Sequence, residues 1–179
     1  QVARVSADTQ TDLSGKWNDT DAKMVSENLI KGCFEAYWHQ RFLDEEGRRP
    51  AVRVRSVVNK TDEHIDSQVF IKNIERVMVN SGKATVLAQV GAELGAVEGE
   101  QDRAISGRQS DDTAVSVGNE TGADFVVSVR ITSILDQVAG KQAKLYKVTF
   151  ELINSTTSEK AWIGDYEIKK LISQSRVRW

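Results

Sequence analysis

An α+β fold follows from three patterns in this sequence. Over the last third, apolar and polar residues alternate through three consecutive stretches, as in an antiparallel sheet with one buried face. Before them, two stretches carry apolar residues at helical spacing. A short alternating run lies between these two helices. At 179 residues and 40% hydrophobic, the chain can bury one sizeable core. Residues 13–179 therefore read as a single domain behind a polar lead-in, residues 1–12.

Taken in order, the polar run Asp12 to Asp21 contains one tryptophan, Trp17, and ends where Asp19 or Thr20 can cap a helix. Ala22, Val25, Leu29, Cys33 and Ala36 give that helix its inward stripe, widened by Ile30, Tyr37 and Trp38. Phe42 to Arg49 reads as a charged loop, and Pro50 introduces a strand whose apolar side is Val52, Val54 and Val58. Asn59 to His64 interrupts it. Asp66 then has the right chemistry for an N-cap, and Phe70, Ile74, Val77 and Met78 form the stripe of a second helix. Gly82 supplies the left-handed residue that ends it, and Thr85-Val86-Leu87 resumes extended structure. Residues 89–109, with Gly91, Gly95 and Gly99, read as a weak helix, since each interior Gly costs about 1 kcal/mol relative to Ala. Asp111 or Asp112 can cap a short helix through Val117, and Gly122 ends it.

The three final strands complete the pattern. Phe125, Val127, Val129 and Ile131 share one face. So do Tyr146, Val148, Phe150 and Leu152, and then Trp162, Gly164, Tyr166 and Ile168. Short turns at Asp136 to Gln142 and Asn154 to Lys160 make them a meander, whose apolar side the helices must cover.

Composition excludes several function classes. With 24 basic and 26 acidic residues, net −2, the chain lacks the concentrated positive charge that nucleic acid requires. No run approaches the roughly 20 apolar residues of a membrane span. A chain beginning at Gln1 rather than Met reads as a trimmed product whose targeting segment lies upstream.

The best catalytic candidate is Glu63-His64, flanked by Asp62 and Asp66, because a histidine beside carboxylates can serve as a general base. No nucleophile motif accompanies it, and the lone Cys33 lies on a helix's apolar stripe. The plainer reading is that these residues order the loop and cap the helix, so no catalytic residue is assigned. His39 and His64 have no second ligand at metal spacing, and Ser81-Gly82-Lys83 closes a helix where a phosphate loop must open one, so neither a metal nor a cofactor is expected. Aromatic and arginine residues remain as docking candidates. These are Trp17, Trp38, Arg41, Arg48 and Arg49. Trp17 has an alternative role as a lid on the core, and both readings stand. The charges at Asp44 to Arg49 and Lys169-Lys170 read as solvated faces.

Four stretches resemble one family: DLSGKWNDTDAKMVSENLI (Asp12 to Ile30), VVNKTDEHIDSQVFIKNIERVMVNSGK (Val57 to Lys83), GADFVVSVRITSI (Gly122 to Ile134) and YKVTFELINSTTSEKAWIGDYEIKK (Tyr146 to Lys170). Together they look like LpoB-like proteins, bacterial outer-membrane lipoproteins whose members activate a class A penicillin-binding protein. The resemblance implies a mixed, mainly antiparallel sheet with helices packed against it, similar to the N-terminal domain of TolB. It further implies a periplasmic site, a lipidated Cys just before Gln1, and a protein partner in cell-wall synthesis. The alternative function is a structural or assembly lipoprotein of the outer membrane without a synthase partner.

Overall fold

The computed structural model describes residues 15–88, 122–138 and 141–173. The expected lead-in over 1–12 and the expected helices over 89–109 and 111–117 lie outside them. Helices α1 (Asp19–Glu35), α2 (Tyr37–Glu46) and α3 (Ser67–Ser81) accompany strands β1 (Ala51–Lys60), β2 (Thr85–Val86), β3 (Phe125–Val138), β4 (Lys141–Asn154) and β5 (Lys160–Ser173). The sheet order is β2-β1-β3-β4-β5. β1 runs parallel to β2 and β3, whereas β3, β4 and β5 form the antiparallel meander. The result is the expected mixed α+β architecture.

The cap of α1 is Asn18, one residue before Asp19 and two before Thr20, the expected caps. The Asn18 side chain accepts from the Asp21 amide at 3.0 Å, and Asp21 Oδ2 accepts from the Asn18 amide at 2.9 Å. This reciprocal capping box satisfies two amides that would otherwise lack partners. Ala22, Val25, Leu29, Ile30 and Cys33 are buried as expected, but the helix stops at Glu35. Ala36 is extended, and α2 leaves in a new direction. The Trp38 indole turns back and donates to the Cys33 carbonyl at 2.7 Å, capping the end of α1. Tyr37 is consequently 79% exposed rather than part of the inward stripe. Residues 42–46, expected as loop, belong to α2, which ends at left-handed Gly47.

α3 matches its sequence signals. Asp66 Oδ1 accepts from the amides of Gln68 and Val69, and Gly82 closes the helix at φ 65°. Phe70, Ile74 and Met78 are buried with Ile71, each worth about 1.5–3 kcal/mol of apolar burial. Val77 packs partly buried against the same core.

β1 departs from its expected face. Its register against β3 shifts between Val54 and Ser56, leaving Arg55 as the extra residue of a bulge. Val52 and Val54 face the core, but beyond the bulge Val57 turns inward and Val58 is 37% exposed. The three-strand meander is in the expected phase: Val127, Val129, Ile131, Tyr146, Val148, Phe150 and Leu152 are all essentially inaccessible. Trp162, Tyr166 and Ile168 pack partly buried beside them. The same inward parity continues to Lys144 and Lys170, 5% and 8% exposed. Lys170 is thus no solvated face. One side of the sheet carries α1 and α3; no described helix packs on the other.

Candidate partner-binding surface

The acidic loop before α3 folds onto the sheet as a clamp. Glu63 Oε1 accepts from Lys144 Nζ at 2.5 Å and from the Tyr146 hydroxyl at 2.6 Å, while its Oε2 accepts from the Trp17 amide at 2.9 Å. Lys144 also reaches Asp62 at 2.7 Å, and the Gly15 carbonyl lies 2.9 Å from the Tyr146 hydroxyl. Burial pushes the Glu63 carboxyl up, but the bonds from Lys144, Tyr146 and the Trp17 amide outweigh it and hold the group below the usual carboxylate range. Burial likewise opposes the charge on Lys144, and Asp62 and Glu63 more than restore it. Burial, and then the adjacent Glu63 anion, push the Tyr146 hydroxyl far upward.

This geometry sets no carboxylate beside the histidine to make it a general base. Both Glu63 oxygens are taken by protein donors, and Asp66 spends its carboxylate on the α3 amides. His64 is exposed and no carboxylate bonds it among the described residues. Burial pushes the Cys33 thiol up to about 12, so it is not a thiolate at neutral pH. Among the described residues, no group of three or more His, Cys, Asp or Glu side chains could hold a metal ion.

The five docking candidates separate into different settings. Trp17 packs edge-on against Phe70 and Tyr146, at ring separations of 5.8 and 5.6 Å, so it covers the core as a lid. Trp38 is 9% exposed and meets Phe125 at 4.9 Å, so it is buried, as its place in the inward stripe implies, rather than open for docking. Arg48 makes a two-pronged bond to Asp124, both contacts 2.7 Å, and Asp124 also accepts from the Ala51 amide. Arg49 donates to the Gly82 carbonyl at 3.2 Å. Arg41 alone of the five lies on the surface with only a helical i,i+4 partner, Glu45. It lines a shallow groove of about 800 Å³ with Tyr37, Trp38, Phe42, Phe125 and Lys160. Trp38 and Arg41 thus meet at one site, while Trp17 sits at the opposite end of the sheet beside Glu63. Sequence spacing had no means of finding the Lys144–Glu63 and Lys170–Asp21 pairs, since their partners are 81 and 149 residues apart.

A model of the peptidoglycan-synthase activator LpoB family matches residues 21–168. The chain belongs to the LpoB family. That span includes nearly all of α1, the whole of α3 and nearly all of the sheet. No curated protein sequence matches the chain. Among solved structures, it is similar to the LpoB C-terminal domain from Escherichia coli, with 17% identity, a TM-score of 0.48, and coverage of 86% of this chain and 99% of that one. The corresponding domain from Salmonella enterica gives 16% identity, a TM-score of 0.47 and the same coverage. Lipoprotein GNA1162 from Neisseria meningitidis gives 14% identity and a TM-score of 0.44, covering 72% of this chain and 88% of that one. Among the described residues no helix is long and apolar enough to cross a membrane. The LpoB family is described as one of synthase activators, a regulatory rather than a catalytic family.

Proposed function

We propose that this chain is a periplasmic, non-catalytic domain that binds a class A penicillin-binding protein and raises its activity, held at the outer membrane by a lipid anchor upstream of residues 1–12. The observation that supports this reading is the match to a synthase-activator family from residue 21 to residue 168. The engaged carboxylates of Glu63 and Asp66 and the buried, protonated thiol of Cys33 are consistent with it, because both carboxylates accept from backbone amides and hold the loop and helix start in place. Activation would operate as a population shift: the domain stabilises the synthase's active form by binding it more tightly than the inactive one. Arg41 and the groove around it form part of the docking surface, whereas Trp17, Trp38, Arg48 and Arg49 shape the fold behind it.

The test is direct binding. The purified chain is immobilised and challenged with a purified, detergent-solubilised class A penicillin-binding protein from the same bacterium. Saturable retention near one to one is expected. Absence of retention at micromolar synthase contradicts the proposal.

A further inference from the structure

The face of the sheet on which no described helix packs segregates its charges. β1 and β3 place Arg53, Arg55, Lys60 and Arg130 on this side, in register through Ser56↔Ser128, Val58↔Arg130 and Lys60↔Thr132. Their only acid on this face is Asp136, at the far end of β3. On β4 and β5 the acids are already satisfied: Glu151 is 2.7 Å from Lys160, and Asp165 is 3.1 Å from Lys147, which also reaches Glu167 at 4.0 Å. Arg53 donates to the Ala88 carbonyl. By contrast, the Arg55 and Arg130 guanidinium groups are exposed and have no ion-pair or hydrogen-bond partner among the described residues. The bulge accounts for the position of Arg55, since an extra residue there re-aims the strand's side chains.

This basic stripe does not stand apart from the groove beside Arg41. Arg55, Ser56 and Ser128 line a second depression that runs to Ile153, Asn154 and Ser155. Asn154 also lines the first groove, so one surface wraps from α2 around the β4–β5 turn onto the open sheet face. Apolar Val58 and Ile153 lie among the cations, a mixture suited to a folded protein surface. A net charge of −2 for the whole chain makes the local excess of unpaired arginine a feature of this face, not of the composition.

Resting on the synthase-binding reading above, we propose that the open face of β1 and β3 docks an acidic surface of the synthase, with Arg55 and Arg130 as the charges it pairs with. Arginine suits this task because its planar fork binds carboxylates bidentately. Lys60 and Arg53 extend the field along the strand and speed encounter.

The experiment measures binding of the full chain to a purified class A penicillin-binding protein from the same bacterium, at 50 and 300 mM NaCl. Three variants accompany it: Arg55→Glu with Arg130→Glu, the milder Arg55→Gln with Arg130→Gln, and Arg76→Glu on exposed α3 as a control. Thermal unfolding checks that each is folded. The proposal expects affinity to fall on the order of tenfold or more with charge reversal, less with neutralisation, and not at all with the control. It also expects binding to weaken with salt in the wild type and much less in the reversed variant. Wild-type binding that neither salt nor reversal alters overturns the docking face while leaving the partner intact. Failure of the wild type to bind overturns the synthase reading itself. Arginine-dependent binding to soluble peptidoglycan fragments, but not to the synthase, overturns the partner class.

Discussion

Lys170 on the last strand reaches Asp21 in the first turn of α1, with Nζ 2.6 Å from Oδ2 and side chains only 8% and 4% exposed. The same ammonium donates to the Lys16 carbonyl at 2.9 Å. The pair therefore ties the entrance of the domain to the edge of its sheet. Removing one partner strands the other charge away from water, a loss of about 3–5 kcal/mol. Lys170→Ala is expected to lower unfolding free energy by that amount in urea denaturation. Lys170→Met with Asp21→Leu should recover most of it, less about 1 kcal/mol for the lost capping bond. A change below 1 kcal/mol in the single variant would show that the pair contributes nothing.

The Glu63 clamp contributes to the acid limit of stability, alongside the lowered carboxyls of Asp62, Asp124 and Asp165. Its carboxyl is held below the usual range when folded, so the stability it contributes is complete above the unfolded value of about 4.3 and is lost as pH falls through the folded one. Lys144 and Tyr146 are both raised; their contributions hold below about 10 and disappear as pH rises further. A plateau between about pH 5 and 10 follows. Glu63→Gln should be less stable at pH 7 but lose less between pH 5 and 3 than the wild type. Urea midpoints at the two pH values measure this, and parallel acid limbs would contradict it.

Trp38 and Arg41 line one groove but differ in what they hold. Trp38→Ala empties a buried indole site and frees the Cys33 carbonyl, costing about 3–5 kcal/mol. Arg41→Ala on the exposed face of α2 should stay within about 0.5 kcal/mol of wild type. Thermal unfolding separates the two. Equal melting temperatures would mean that Trp38 is not part of the core.

Gly164 provides a local test of packing. It faces inward on β5, and the Trp162 indole lies over the position a Cβ would take, edge-on to Phe150 at 5.6 Å. Gly164→Ala must displace that ring from the core, at about 1–3 kcal/mol. Near-ultraviolet circular dichroism should change along with the melting temperature. An unchanged spectrum would mean that the ring moves freely.

Local signals carried most of the fold. Alternation fixed the inward face of all three meander strands, and Asp66 with Gly82 bracketed α3 at both ends. The misses have physical causes that one-dimensional spacing does not contain. Val58 and Val57 exchange faces because a single extra residue at Arg55 reverses the phase, which no residue type there announces. The break at Ala36 involves neither Gly nor Pro; it rests on Trp38 folding back to cap Cys33. Lys144 and Lys170 sit at inward positions of their strands, and that parity was legible, but their acids lie far away in sequence, in the loop before α3 and in the first turn of α1. Trp17 could be read as lid or contact until the Glu63 carboxylate was seen holding its amide. That Arg55 and Arg130 have no partner among the described residues is likewise a property of the assembled sheet.

The most direct measurement follows glycan polymerisation by a purified class A penicillin-binding protein acting on its labelled lipid-linked precursor, with increasing amounts of this chain. The initial rate should rise and saturate near one equivalent, and the Arg55→Glu, Arg130→Glu variant should need more protein to reach the same plateau. A rate that stays flat through a tenfold excess of folded chain would contradict the role as an activator.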